Sequence, residues 1–150
     1  MTEERKRVLF VCIGNACRSQ MAEAFARAYG SDVIIPASAG LAPAVYIPSD
    51  TMRAMEDKSL DLRDHFPKAL RHVSRAQFDI VINMSGMGLP DSLNARVITW
   101  DVPDPVLMPY DEHCEIRDLI ERKVMQLILE LRRDKPAPPF TGQGSEWLKQ

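Results

Sequence analysis

Four short apolar runs, separated by amphipathic stretches, set the expected architecture. Val8-Leu9-Phe10-Val11 is β-branched and aromatic enough to predict a buried strand. Val33-Ile34-Ile35, running into Ala37-Ser38-Ala39-Gly40, predicts a second. Ile80-Val81-Ile82, within Phe78 to Met84, has the unbroken apolar character of a strand covered on both faces of a parallel sheet. Val97-Ile98-Thr99-Trp100 predicts the fourth strand. Helical spacing fills the gaps. Met21, Ala22, Phe25, Ala28 and Tyr29 recur on one face, and Gly30 fits the stop. Ser49 suits an N-cap for a helix that turns Met52 and Met55 inward. A further helix is expected from near Pro67, with Leu70, Val73 and Ala76 as its inner face. Asp111 to Asp134 is the longest: Ile116, Leu119, Ile120, Val124, Leu127, Ile128 and Leu131 form one stripe. Strands alternating with helices predict an α/β fold built on right-handed parallel crossovers.

The chain has 150 residues, which suits one domain around one core. The expected division is a folded domain over 1–135 and a Pro/Gly-containing tail over 136–150 that docks through Phe140 or Trp147. A net charge of −2 argues against a nucleic-acid partner, and no apolar run is long enough to span a membrane. Glu3 to Ile13 is basic and then apolar, but the run is too short for a leader and no small-residue cleavage site follows. Three cysteines form no disulfide framework, so a reducing cytoplasm is expected. No histidine stands at ligand spacing from Cys12, Cys17 or Cys114, so no metal site is expected.

The first strand leads into Cys12-Ile13-Gly14-Asn15-Ala16-Cys17-Arg18-Ser19 and then into a helix. Such a loop aims backbone N–H groups and a helix N-terminus at one spot, and both favour an anion. Gly14 and Asn15 suit the positive φ angles that a tight loop needs. Arg18 can grip a tetrahedral oxyanion through two parallel hydrogen bonds. A thiol set among these groups is favoured as a thiolate, and a thiolate beneath a bound phosphate is a nucleophile aimed at phosphorus. Leu41 to Pro48 is an irregular segment with Pro43 and Pro48, and Tyr46, its only aromatic, either flanks the substrate or covers the core. Ligands of parallel sheets sit outside the carboxyl ends of the strands. The Cys12 loop, the 41–48 segment, the 85–90 loop and the 101–110 loop are therefore expected at one edge. His65 and His72 have no convincing partner in the sequence, His113 sits near the start of the last helix, and Glu23 reads as a solvated face.

Val8 to Ser19 resembles the signature of the low-molecular-weight protein tyrosine phosphatase superfamily, which includes phosphotyrosine phosphatases and arsenate reductases. The resemblance implies a three-layer α/β sandwich whose four-stranded parallel sheet runs in the order 2-1-3-4, with helices on both faces. It implies Cys12 as nucleophile, Arg18 and residues 13–19 as the phosphate-binding loop, and no metal or cofactor. Ser19 would donate to the Cys12 sulfur, and Asn15 would brace the loop. It also implies a general acid at the Asp of an Asp-Pro pair, which is Asp104-Pro105, with Asp101 bracing the loop at the strand end. Cys17 is either a small structural residue or a partner that traps Cys12 in a reversible disulfide, as in some relatives. The expected reaction is metal-independent hydrolysis of phosphotyrosine proteins or aryl phosphates through a phosphocysteine, by a monomer or weak dimer.

Two features pull toward the arsenate reductase side. Gln20-Met21-Ala22-Glu23 follows Arg18-Ser19 where phosphatases usually carry Pro in place of Gln20, and Trp100 to Pro105 leans the same way; Val106-Leu107 follow Asp104-Pro105 where eukaryote-like phosphatases carry two aromatics, which argues against a strict phosphotyrosine preference. Thioredoxin-coupled arsenate reductases, however, carry two cysteines in the loop after the third strand, and Met84 to Pro90 has none. The alternative is therefore an arsenate reductase that uses an external thiol such as glutathione or mycothiol, with glutaredoxin. A low-turnover phosphate-binding relative is a second alternative.

Overall fold

The computed structural model describes residues 4–73 and 76–135. The elements run β1 (Lys6–Cys12), α1 (Arg18–Tyr29), β2 (Ile34–Gly40), α2 (Ser49–Glu56), β3 (Ile80–Asn83), β4 (Arg96–Thr99) and α3 (Tyr110–Asp134). Short 3-10 turns lie at Leu70–His72 and Asp91–Leu93. The four strands form one parallel sheet in the order β2-β1-β3-β4, which is the expected order.

The alternation of side chains along β1 explains the layering. Val8, Phe10 and Cys12 point to one face, where α1, α2 and α3 close over them with Met21, Phe25, Met55, Ile120, Val124 and Ile128. Leu9 and Val11 point to the other face, beneath Leu70, Val73, Leu89 and Leu93 of the segments that carry the 3-10 turns. A strand covered on both sides has no polar face, and Val8 through Val11 are fully buried. Each large apolar side chain removed from water contributes about 1.5–3 kcal/mol. β3 is buried throughout, whereas β4 is the sheet's partly exposed edge.

The α3 stripe packs as its periodicity predicts. Ile120, Val124, Leu127 and Ile128 are buried, with Ile116, Leu119 and Leu131 partly buried beside them. Gly30 lets the end of α1 meet α3, since a Cβ there would lie 2.6 Å from Ile128 Cγ1.

Two local expectations are corrected. No helix starts near Pro67. The Gly40 N–H donates to the Lys68 carbonyl (2.8 Å), Gly40 bridges Ala69, and the Lys68 N–H donates to Asn15 Oδ1 (2.9 Å). With those backbone groups committed to β2 and the loop, a helical ladder has none to spare, and only the turn Leu70–His72 remains. Leu70 and Val73 still pack inward, while Ala76 is exposed. Ser49 is the first helical residue of α2 rather than its cap; Pro48 holds that position, and no side chain caps the end. The proposed contacts of Phe140 and Trp147 fall outside the described residues.

Gly40 is the tightest point of the sheet edge. It pairs with Cys12 across β1 and β2. A Cβ there would lie 2.7 Å from Ile13 O, 2.8 Å from Asn15 N and 2.9 Å from Gly14 C, all backbone atoms that cannot step aside. Gly40→Ala is therefore expected to lower unfolding stability by about 1–3 kcal/mol, the usual cost of overpacking. Equilibrium urea unfolding measures this; a variant as stable as the wild type would contradict the close approach.

Candidate active site

The loop after β1 is shaped by its carbonyls. Leu41, Ala42 and Ala44 donate their N–H groups to the carbonyls of Cys12 (3.2 Å), Ile13 (2.8 Å) and Gly14 (2.9 Å). The described residues hold no cis peptide. In a trans peptide the following N–H points opposite to the carbonyl, so the amides of Ile13, Gly14 and Asn15 face away from the 41–44 wall. Asn15 supplies the positive φ, at 49°. Gly14 does not: its φ is outside that region, and a Cβ would meet only ordinary contacts. The loop then feeds α1, whose first-turn N–H groups have no partner within the helix. Helix and loop together place positive potential beside the Cys12 sulfur.

Cys12 is buried, and its Sγ lies 2.9 Å from Ser19 Oγ. Asn15 Nδ2 donates to that same Oγ (2.7 Å). Because the amide occupies a lone pair of the hydroxyl, the Ser19 proton is free to point at sulfur. Asn15 itself is fully buried and held from three sides. Its side-chain oxygen accepts from the Lys68 N–H and from Gln20 Nε2 (3.0 Å), and Gln20 also donates to the carbonyls of Asn15 (3.1 Å) and Phe66 (3.0 Å).

Arg18 joins the loop to the ends of β3 and β4. One guanidinium nitrogen donates to the carbonyls of Met84 (2.5 Å) and Val102 (3.1 Å). The other lies 3.6 Å from Asp104 Oδ2. The Asp104 side chain is 45% exposed, so it reaches solvent and the loop together. Its Oδ1 accepts from the Val106 N–H (3.1 Å), which fixes the carboxylate in a turn. Asp101 is exposed at the end of β4. Cys12, Asn15, Arg18, Ser19 and Asp104 therefore converge at the carboxyl edge of the sheet. Tyr46 stands on the 41–48 wall, 71% exposed, with Ile13, Val45, Val106 and Leu107 as further exposed apolar residues of the same loops.

Cys17 is buried elsewhere in the loop. Thr51 Oγ1 of α2 lies 3.2 Å from Cys17 Sγ and 3.0 Å from His113 Nε2. His113 Nδ1 lies 3.2 Å from the Pro105 carbonyl. Burial pushes the Cys17 thiol up to about 11, against a smaller opposing effect from Thr51. Among the described residues no cluster of histidine, cysteine and carboxylate side chains is arranged to hold a metal ion.

Several partners were invisible in the sequence. Glu23 is buried rather than solvated: it accepts from Ser38 Oγ (2.7 Å) and from Arg27 (2.7 Å). His65, without an evident partner in the sequence, sits with Nδ1 3.0 Å from Gln20 Oε1 and 4.0 Å from Glu23. Since Gln20 uses its amide nitrogen as donor, that Nδ1 carries the proton. Thr51 gave no signal at all. The nearest hint was a serine, a glutamate and a glutamine all adjacent to the loop motif.

The chain belongs to the low molecular weight phosphotyrosine protein phosphatase family, whose sequence model matches residues 7–137. Within that family its relatives include a glutaredoxin arsenate reductase of Synechocystis sp., 28% identical over 130 residues, covering 84% of this chain and 98% of that protein. A putative arsenate reductase of Halobacterium salinarum is 31% identical over 131 residues, covering 83% and 92%. A solved structure described as an arsenate reductase in the phosphate binding state superposes with a TM-score of 0.77 at 28% identity, covering 84% of this chain and 98% of that one. These relatives fall on the arsenate reductase side of the division that the sequence left open.

Burial holds both His65 and His113 below the usual imidazole value of 6.5. The folded chain therefore binds fewer protons than the unfolded chain just below that value, and stability is lost as pH falls through this window. Urea unfolding at about pH 7.5 and about pH 5.5 should show a less stable protein at the lower pH. His113→Gln should flatten part of that slope; an unchanged slope would contradict a neutral buried imidazole.

Proposed function

We propose that this chain is a cysteine-dependent arsenate reductase whose electrons come ultimately from an external thiol. What carries this reading is that relatives named arsenate reductases align with more than four-fifths of the chain. Gln20 adds to it by bonding the Asn15 carbonyl and side chain, which gives that position a bracing role.

In this reading the Cys12 thiolate attacks arsenic, and the Cys12 S–As bond forms. Arg18 and the loop amides hold the remaining oxygens, whose charge grows during attack. Asp104 protonates the departing oxygen. A second thiol then attacks the Cys12 sulfur, and the S–As electron pair stays on arsenic as arsenite leaves. Two thiols are oxidised to a disulfide and one As(V) is reduced to As(III). Met84 to Pro90 has no cysteine to carry the disulfide outward. Glutathione, mycothiol or a glutaredoxin is the proposed final reductant.

One feature favours phosphatase chemistry as a second reading. Ile13, Val45, Tyr46, Val106 and Leu107 are exposed around the site, and an apolar rim suits a phenyl group better than a bare oxyanion. The same Cys12, Arg18 and Asp104 would then hydrolyse an aryl phosphate through a phosphocysteine.

Two assays on one set of variants separate the readings. The first follows arsenite production with glutathione and glutaredoxin; the second follows hydrolysis of p-nitrophenyl and phenyl phosphate. Thiol-dependent arsenite production that disappears in Cys12→Ser is the expected result. Asp104→Asn should slow phenyl phosphate hydrolysis by about 10²–10⁴, the usual contribution of a general acid. Hydrolysis at about 1 s⁻¹ or faster without arsenite production would overturn the first reading and leave the second.

A further inference from the structure

Asp104 poses a problem of placement. Its side chain is 45% exposed, yet a proton donor must stand within hydrogen-bond reach of the departing oxygen. Its own contacts are few. Oδ1 accepts from the Val106 N–H (3.1 Å), and Oδ2 lies 3.6 Å from Arg18. The neighbours Pro103 and Pro105 offer no N–H. Carbonyls hold the segment instead, and two of them are bonded.

The first is Val102 O, which accepts from Arg18 Nη1 (3.1 Å). The second is Pro105 O, which faces His113 Nδ1 at 3.2 Å and also accepts from the Met108 N–H (3.0 Å). A carbonyl only accepts, so His113 Nδ1 carries a proton for it. Asp104 lies between these two carbonyls. Each pin comes from the opening turn of a helix, Arg18 from α1 and His113 from α3.

The two pins differ in what else they do. Arg18 also grips the oxyanion in the proposed reaction. His113 is 1% exposed, so whatever it does for the reaction passes through the groups it bonds. Fully buried Thr51 places Oγ1 3.0 Å from Nε2 and holds the ring from the other side. An apolar side chain of similar size would fill the same space without the cost of burying polar nitrogens. What the imidazole adds is an N–H aimed at one carbonyl, that of the residue after Asp104.

We propose that His113 is the positioning residue of the acid loop: through its Nδ1–H bond to the Pro105 carbonyl it holds Asp104 where its proton reaches the leaving oxygen. This rests on Asp104 as general acid, a role that the arsenate and the phosphate ester reactions share. His113 itself takes no part in the proton transfer.

The two ring nitrogens can be kept one at a time. Asparagine places its Nδ2 where His113 has Nδ1, and glutamine places its Nε2 where His113 has Nε2. His113→Asn therefore keeps the donor to Pro105, whereas His113→Gln keeps only the group that faces Thr51.

The test is a double-variant cycle on the full-length chain. kcat/KM is measured for arsenite production with glutathione and glutaredoxin, and for hydrolysis of phenyl and p-nitrophenyl phosphate. The proteins are wild type, Asp104→Asn, His113→Gln, His113→Asn and Asp104→Asn with His113→Gln. In whichever reaction the wild type runs, His113→Gln should lose about tenfold or more, since a misplacement of about 1 Å can cost about a hundredfold. His113→Asn should stay within about threefold of the wild type, because the bond that sets the geometry is kept. In the Asp104→Asn background, His113→Gln should change the rate by less than about twofold, because the carboxyl it acts through is gone. Among the esters, phenyl phosphate should fall further than p-nitrophenyl phosphate, whose better leaving group needs the acid less.

Equal losses in both backgrounds would mean a merely structural role and overturn the proposal. So would His113→Asn falling as far as His113→Gln, or His113→Gln as fast as the wild type while Asp104→Asn is slow. Asp104→Asn as fast as the wild type would instead reject the acid assignment itself, and the proposal with it. Hydrogen exchange of the Val106 and Met108 amides reads the same pin without any turnover. Both should exchange faster in His113→Gln than in His113→Asn or the wild type; equal exchange in all three overturns the pin.

Discussion

The site depends on one buried carboxamide. Asn15 takes a left-handed backbone at the tip of the loop, a conformation that a non-glycine residue adopts at a cost unless its surroundings hold it. Its surroundings do so through the Lys68 N–H and Gln20 on the side-chain oxygen and through Ser19 on the nitrogen. The same side chain therefore curves the loop, fixes the segment that packs against β2, and leaves the Ser19 proton for Cys12. Loop shape and sulfur chemistry are not separable here, because both pass through Asn15.

Around that point the sheet acts as a rigid bench. β1 is apolar on both faces and cannot shift register without exposing a buried residue. Gly40 lets β2 press directly on the loop backbone. Arg18 then ties the loop to the ends of β3 and β4, so that Asp104 faces the guanidinium from a separate strand end. Three loops from distant parts of the sequence meet because parallel strands deliver their carboxyl ends to one edge.

Much of this was legible beforehand, for physical reasons. Runs such as Val8–Val11 and Ile80–Ile82 carry burial on two faces, and the α3 stripe carries helical period, so both are local signals. The loop motif was legible because anion binding needs its residue types at fixed spacing. The helix expected from near Pro67 does not form because the Lys68 backbone is bonded by Gly40 and Asn15, and no local period encodes partners so far along the chain. Glu23, His65, Thr51 and His113 were opaque for the same reason. Each is polar, each is unremarkable in its own window, and each acquires a role only from a contact with a residue on another element. The choice between oxyanions was the least legible part, since one cradle of Cys12, Arg18 and Asp104 suits arsenate and phosphate alike.

The central claim is that this edge holds a tetrahedral oxyanion over a reactive Cys12. Site-resolved alkylation of Cys12, Cys17 and Cys114 by iodoacetamide, with and without arsenate or phosphate, tests it most directly. The account predicts that Cys12 reacts first, that either oxyanion slows it, and that Arg18→Ala removes the protection. Cys12 reacting no faster than Cys114, or reacting equally fast with both oxyanions present, would contradict it.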